Sequence, residues 1–432
     1  MLKKGNRRII NAWAFYDWAN SVYPLVITTA IFPIFYEAYT TSTNPDGTLN
    51  DSVLFFGFHL KNTELYSYVI SFSFLIVSII SPILSGIADY SDSKKSFLKF
   101  FCYLGALSCA SLYFFDIAHL ELSMISVLLA SVGFWGSIVF YNAYLPEIAE
   151  PKDHDRISAK GYSLGYIGSS ILLIINLIMI MVFDIDARVS FLTVAVWWIG
   201  FSQITYARLP NQTFTAKPKM ENKFTRGWKE LKKVWFQLNE MPELKRYLAS
   251  FFVYSMGVQT VMIMATLFAA KEINWEGDGA KTGLIVSVLI IQFIAIAGAY
   301  LFSWLSLKWG NIKALALSLV IWIGICIAAY YIREPIEFYI IAAIVGLVMG
   351  GIQSLSRSTY SKILPVTKDH ASFFSFYDVL EKMGIVIGTL SYGLIEGITG
   401  SMRNSILALI LFFVVGLGLL FFVPKRKELA GL

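Results

Sequence analysis

Five charged side chains stand inside stretches that are otherwise apolar: Asp17, Arg357, Asp378, Glu381 and Lys382. A charge in hydrocarbon costs at least about 2.5–3.5 kcal/mol near the centre of a bilayer, so each needs a partner or a task. Asp378 and Lys382 are four apart, on one helix face, and can pair with each other. Glu381 is then left over, and Arg357, in the preceding apolar stretch, is its most economical partner. Asp17 lies roughly 13 Å of helix beyond Arg8, with no base close to it in sequence. Groups so placed can act as an ion-pair gate. They can also take a proton or a zwitterionic solute, whose ammonium meets Asp17 or Glu381 and whose carboxylate meets Arg357. All five fall in the cytoplasmic third of their stretches, which favours the gate, with Asp17 the best exception. Tyr23, Gln259 and Gln353 lie nearer the middle and are candidate solute contacts.

The elements that must position these residues are membrane-spanning helices. Of 432 residues, 56% are hydrophobic and only 15% charged, against about 25% charged in ordinary soluble domains. A spanning helix needs roughly 20 mostly apolar residues. Twelve such stretches occur, at 12–38, 65–88, 96–116, 122–145, 161–183, 189–208, 247–270, 282–307, 314–332, 337–361, 373–396 and 404–423. The predicted class is an all-α membrane protein of twelve transmembrane helices in two six-helix pseudo-repeats. The bundles are expected at 1–208 and 247–432, joined by a cytoplasmic linker over 209–246. In that linker Phe224, Trp228, Leu231, Trp235 and Leu238 recur at helical spacing, as in an amphipathic helix on the inner leaflet.

The repeat is visible in landmarks. Leu145-Pro146 and Leu364-Pro365 each close an apolar run, and Gly165 and Gly384 each follow the proline by 19 residues, an offset of 219 for both pairs. Duplicated halves are the usual construction of secondary transporters. Orientation follows from Lys and Arg: with both termini inside, 28 of the 35 lie in cytoplasmic segments and 6 outside. The net charge of +6 therefore reflects topology and anionic lipid, and not nucleic acid. The amino-terminal span is too long for a cleaved signal peptide. Cys102, Cys109 and Cys326 lie within spans as packing residues, the histidines fall in loops, and no metal or cofactor site is visible.

Between the second and third spans, Ser85-Gly86-Ile87-Ala88-Asp89-Tyr90-Ser91-Asp92-Ser93-Lys94-Lys95 resembles the loop signature of the major facilitator superfamily. Ala88, Asp89 and Lys94 match it, while Tyr90 stands where Arg is usual and Asp92 where Gly is usual. The second copy, Leu307-Lys308-Trp309-Gly310-Asn311-Ile312-Lys313, keeps a basic residue, the glycine and the lysine but has lost the acid. The segment Ala14-Phe15-Tyr16-Asp17-Trp18-Ala19-Asn20-Ser21-Val22-Tyr23 is similar to the first-helix motif of the branch containing the autophagy-related vacuolar amino-acid effluxers. Tyr141-Asn142-Ala143-Tyr144, Tyr254 to Thr260 and Gly351 to Ser358 extend the resemblance along the chain. It implies a cavity lined by the first, fourth, seventh and tenth helices, and it adds Tyr16, Asn20 and Asn142 to the candidates.

The expected function is a secondary active transporter that works by alternating access and exports a small polar, amino-acid-like solute in a proton-coupled cycle. Asp89, Lys94, Lys95, Asp378 and Lys382 are expected to control conformation. A sugar, peptide or drug permease stays open, as do, less favoured, a polytopic membrane enzyme and a lipid scramblase. The chain has no Gly-x-x-x-x-Gly-Lys-Ser/Thr phosphate loop, which argues against a primary pump. A monomer in a bacterial cytoplasmic membrane is expected, with the solute, lipid and protons as partners. A reporter fused after Leu432 or inserted near Lys217 should read cytoplasmic, and one near Pro45 external. An external carboxyl terminus would overturn the helix count.

Overall fold

The computed structural model describes residues 4–44, 49–91, 93–210, 223–275 and 279–424, with side chains at all of these except 49, 223–228, 230, 231 and 279–281. Apolar runs become helices here because only a helix satisfies every backbone N–H and C=O without water. The long helices are α1 (Arg7–Thr40), α2 (Asn62–Ser91), α3 (Lys94–Ser111), α4 (Leu120–Ala143), α5 (His154–Met181) and α6 (Arg188–Arg208). After α7 (Lys223–Glu240) come α8 (Pro242–Glu272), α9 (Gly279–Trp309), α10 (Asn311–Tyr331), α11 (Pro335–Ile363), α12 (His370–Thr399) and α13 (Met402–Phe421). Each expected span coincides with one of them. Eleven are long and apolar enough to cross a membrane. The other, α12, has 30 residues but carries Asp378, Glu381, Lys382 and Glu396.

The helices extend beyond the apolar runs where polar residues suit their ends. The fifth span was expected from 161, yet α5 starts at His154 with Asp155 in its first turn, where a carboxylate meets the positive end of the helix dipole. In α1 the backbone widens into a π-helical stretch over Tyr23–Ile31. Pro24 lacks the N–H an α-helix would use there, and Thr29 Oγ1 donates to the Pro24 carbonyl at 2.8 Å. Beyond α1, Ser52–Phe55 and Phe58–Lys61 pair as an antiparallel hairpin, a small β element on an α-helical protein.

The chain divides into two units. One comprises residues 1–149, 161–228 and 369–375; the other comprises 150–160, 229–368 and 376–432. The first turns of α5 thus belong to the second unit, and the first turns of α12 to the first. In α7, Val234 and Leu238 are buried while Trp235 is 56% exposed, its ring 5.9 Å from that of Phe376. Phe224, Trp228 and Leu231 lie outside the described side chains.

Within each unit the repeated glycine has the same task. A Cβ on Gly165 would lie 2.4 Å from Ser21 Oγ, so α5 crosses α1 there in close approach. A Cβ on Gly384 would lie 2.9 Å from Ser255 Oγ, where α12 crosses α8. In the second unit α9 and α11 approach closer still: a Cβ on Gly350 would meet the Ala295 carbonyl oxygen at 2.1 Å. At the far end of that unit, Arg403 gathers three helices. Its Nε donates to Glu272 Oε2 at 2.8 Å and its Nη1 to the Tyr330 and Ile332 carbonyls at 2.8 and 2.7 Å.

Gly350→Ala should separate α9 from α11 and cost about 1–3 kcal/mol, read as a lower unfolding temperature in detergent. Gly324→Ala, where a Cβ meets nothing within 4 Å, should not lower it. Equal behaviour of the two variants would show that the α9–α11 crossing tolerates expansion.

Candidate functional site

The first unit holds Asp17 in an aromatic setting. Its side chain is buried, and Oδ2 accepts a hydrogen bond from Tyr141 Oη at 2.8 Å. Tyr141, on α4, stacks on Trp13 at 4.6 Å between ring centres, and Trp13 Nε1 donates to the Tyr141 carbonyl at 2.9 Å. Tyr16, Asn20 and Tyr23 follow at i, i+4 and i+7, one face of α1, and all are packed inside the unit. Tyr23 lies against Phe134 and Trp198. The Tyr16 hydroxyl and Asn20 Nδ2 are buried without a hydrogen-bond partner among the described residues. Unmet donors inside a protein are costly, so polar capacity is concentrated on this face of α1. Asn142, beside Tyr141, is also buried.

At the charged end of this unit, Asp89 is fully shielded. Its two oxygens accept from the Ala371 and Ser372 backbone N–H groups at 3.1 and 2.7 Å, in the first turn of α12. A carboxylate at a helix amino terminus is stabilised by the dipole as well as by the bonds. Lys94 stands 3.6 Å from Asp89 and also pairs with Glu147. Lys95 takes no part in this latch: its Nζ donates to the Leu209 carbonyl at 2.9 Å, holding the exit from α6.

The second unit solves the same problem with a different acid. The second hairpin lacks the aspartate, and Asp155 of α5 supplies one. It accepts from Ser306 Oγ and Asn311 Nδ2, both at 2.7 Å, and from Lys362 Nζ at 2.5 Å. One turn on, Ser158 Oγ and its carbonyl accept from Arg357 Nε and Nη2, both at 2.9 Å. Tyr247 and Tyr254 hydroxyls bond the Ser356 carbonyl and Oγ at 2.8 and 2.7 Å and fix the adjoining turn of α11.

The expected Arg357–Glu381 pair does not form, because α11 turns Arg357 onto Ser158. Glu381 instead accepts from Gln259 Nε2 at 2.9 Å and lies 3.4 Å from Lys382 Nζ. The expected Asp378–Lys382 pair is present. Gln353 Nε2 faces the Met262 sulfur at 3.5 Å. Asp155, Ser158, Lys362, Glu147 and Tyr141 were missed by the sequence reading. The lost acid of the second hairpin was the signal: Ser306 and Asn311 beside it needed an acceptor from elsewhere. Among the described residues no three of His, Cys, Asp and Glu gather as metal ligands.

Long apolar helices in two units, with an ionic latch on each of two related hairpins, define a membrane transporter of the major facilitator fold. The chain belongs to the family described as vacuole effluxer Atg22 like, whose model matches residues 5–155 and 147–430. It is 31% identical to the uncharacterized MFS-type transporter YxiO of Bacillus subtilis, over 97% of this chain and 95% of that one. Autophagy-related protein 22 of Saccharomyces cerevisiae is 24% identical, over 82% of this chain and 76% of its own. Its fold is similar to that of the E. coli fucose:proton symporter FucP (TM-score 0.65, 14% identity, covering 97% and 98% of the two chains). The human organic anion transporter MFSD10 is similar in the same sense (TM-score 0.70, 10% identity, 97% and 100%). The protein is a transporter and not an enzyme.

Asp155→Asn leaves one carbonyl oxygen where Ser306 and Asn311 now find two carboxylate oxygens, and it removes the charge facing Lys362. The loss of about 1–2 kcal/mol should open this end more often. A cysteine at Thr359, buried in the wild type, should then react about five- to thirtyfold faster with a membrane-impermeant maleimide. Asp89→Asn should have the same effect on a cysteine at Ser372. Wild-type labelling rates in both variants would reduce the two acids to helix caps.

Proposed function

We propose that the protein exports a small polar solute of amino-acid type by alternating access, driven by protons, across the cytoplasmic membrane of a bacterium. Both termini face the cytoplasm in this reading. Support for efflux comes from the family description, and support for a bacterial membrane from the end-to-end similarity to a transporter of Bacillus subtilis. The observation that carries proton coupling is the buried carboxylate of Asp17, one of whose oxygens accepts a hydrogen bond from the Tyr141 hydroxyl. A hydroxyl can bond that group whether or not it is protonated, so the proton can come and go without dismantling the site.

The latches then serve as the gate. Opening at the charged end releases the first turn of α12 from Asp89, and Asp155 and Ser158 from Lys362 and Arg357. On α12, Lys382 stands between Asp378 and Glu381, a group with one more acid than base. Glu381, 18% exposed in its side chain and bonded to Gln259, is the acid of this group that solvent reaches. Asp378 stays with Lys382.

Reconstituted transport with amino acids, sugars and peptides, with and without a proton gradient, tests the reading. Asp17→Asn should abolish gradient-driven accumulation yet keep solute exchange, because exchange needs the moving carrier but no proton release. If Asp17 only latches a gate, the variant should speed or uncouple both together. Full gradient-driven transport by Asp17→Asn would move the proton to Glu381, and Glu381→Gln would then carry the loss.

A further inference from the structure

At the end of α3 away from the Asp89 hairpin, the first unit has an open cleft of about 450 Å³, lined by Tyr113, Phe114, Phe115, Asp116, Asp186 and Arg188. Its level in the membrane follows from the helix beside it. Lys94 and Phe114 are separated by roughly 30 Å of helix, the thickness of a hydrocarbon core. Phe100, Leu107 and Phe114, seven residues apart, are 57%, 61% and 78% exposed, an apolar stripe along one face. Met181, Val182 and Phe183 at the end of α5 are exposed as well. These lipid-facing surfaces run up to the cleft and stop there, so the cleft lies where phospholipid head groups lie.

Its polar groups are of both signs. Arg188 stacks over Tyr39 with its guanidinium carbon 4.8 Å from the ring centre, and Nη2 donates to the Phe115 carbonyl at 3.2 Å. Its Nε is buried without a hydrogen-bond partner among the described residues. Asp186 Oδ1 caps the Arg188 N–H at 2.8 Å, and Asp116 accepts from the Ala118 N–H and faces His119 Nδ1, both at 3.0 Å. Among the described residues neither carboxylate lies within ion-pair distance of Arg188. The cleft therefore presents a cation held rigid on aromatic rings, which suits a phosphate, and two carboxylates that suit an ammonium.

We propose that this cleft seats the head group of an aminophospholipid of the phosphatidylethanolamine type, in the leaflet on the Phe114 side. The phosphate lies on Arg188 and the ammonium on Asp116 and Asp186, with the acyl chains along Phe114, Leu107 and Phe100. A glycerol head group brings no cation to the two carboxylates, and a choline ammonium has no N–H to give them.

Native mass spectrometry of the full-length protein in detergent, offered equal phosphatidylethanolamine and phosphatidylglycerol, tests this. The wild type should retain the ethanolamine lipid about three- to tenfold over the glycerol lipid. Asp116→Asn with Asp186→Asn keeps both turn caps, since Asn is as good a cap, and should bring that ratio to about one. Arg188→Gln should lower retention of both lipids, with thermal unfolding confirming that each variant is folded. Equal retention by the wild type, or an unchanged ratio in the double variant, overturns the proposal. So does displacement of the lipid by millimolar soluble phosphoethanolamine, which would make the cleft a site for a dissolved zwitterion.

Discussion

A carboxylate withdrawn from water must find its donors in the protein itself, and the placing of helix ends in this molecule depends on that requirement. Asp17 finds Tyr141, Asp378 finds Lys382, and Asp89 finds two backbone N–H groups. Asp155 finds a serine, an asparagine and a lysine. The solutions at Asp17, Asp89 and Asp155 each tie two or more helices, whereas Asp378 and Lys382 answer each other within α12. Cations obey the same rule, as Arg403 does by collecting carbonyls from the end of α10 and a carboxylate from α8. Polar residues in a bilayer protein are thus its most directional contacts, beside the small-residue crossings at which two helices approach closely.

The two latches reach one end with different chemistry. Asp89 is fully shielded and takes its bonds from backbone, so its strength is set by helix geometry and responds little to salt. Asp155 is shielded too, but its partner Lys362 is 23% exposed, within reach of dissolved ions. A duplicated fold has therefore kept the place of the contact and exchanged its residues. The acid left the hairpin and reappeared on the helix that the hairpin holds.

Much of this was legible in the chain. Spans follow from apolar length, and the repeated Gly165 and Gly384 mark close helix crossings. Asp89 stood out by its motif, and Asp378–Lys382 by a spacing that any helix turns into a contact. The failures share one cause. Arg357 and Glu381 lie on neighbouring helices, but sequence gives no rotation of one helix about its axis against the next, and Arg357 faces Ser158 instead. Asp155 looked like an ordinary loop charge because it precedes the apolar run, and only the extension of α5 to His154 makes it part of a helix. Tyr141 was quoted for its motif, yet its hydroxyl could be assigned to Asp17 only from coordinates.

The exchange of short segments between the units bears on how the chain is made. Residues 369–375 complete the first unit, but a ribosome reaches them only after residues 229–368 of the second have been synthesised. Until then Asp89 lacks the N–H groups that answer it, and Asp155, made early, waits likewise for Lys362. The nascent amino-terminal half must therefore enter the membrane with its charged end unfinished. Biogenesis should leave that end hydrated, or held by insertion factors, until α12 arrives. A stretch of seven residues thus makes assembly a property of the whole chain and not of either repeat.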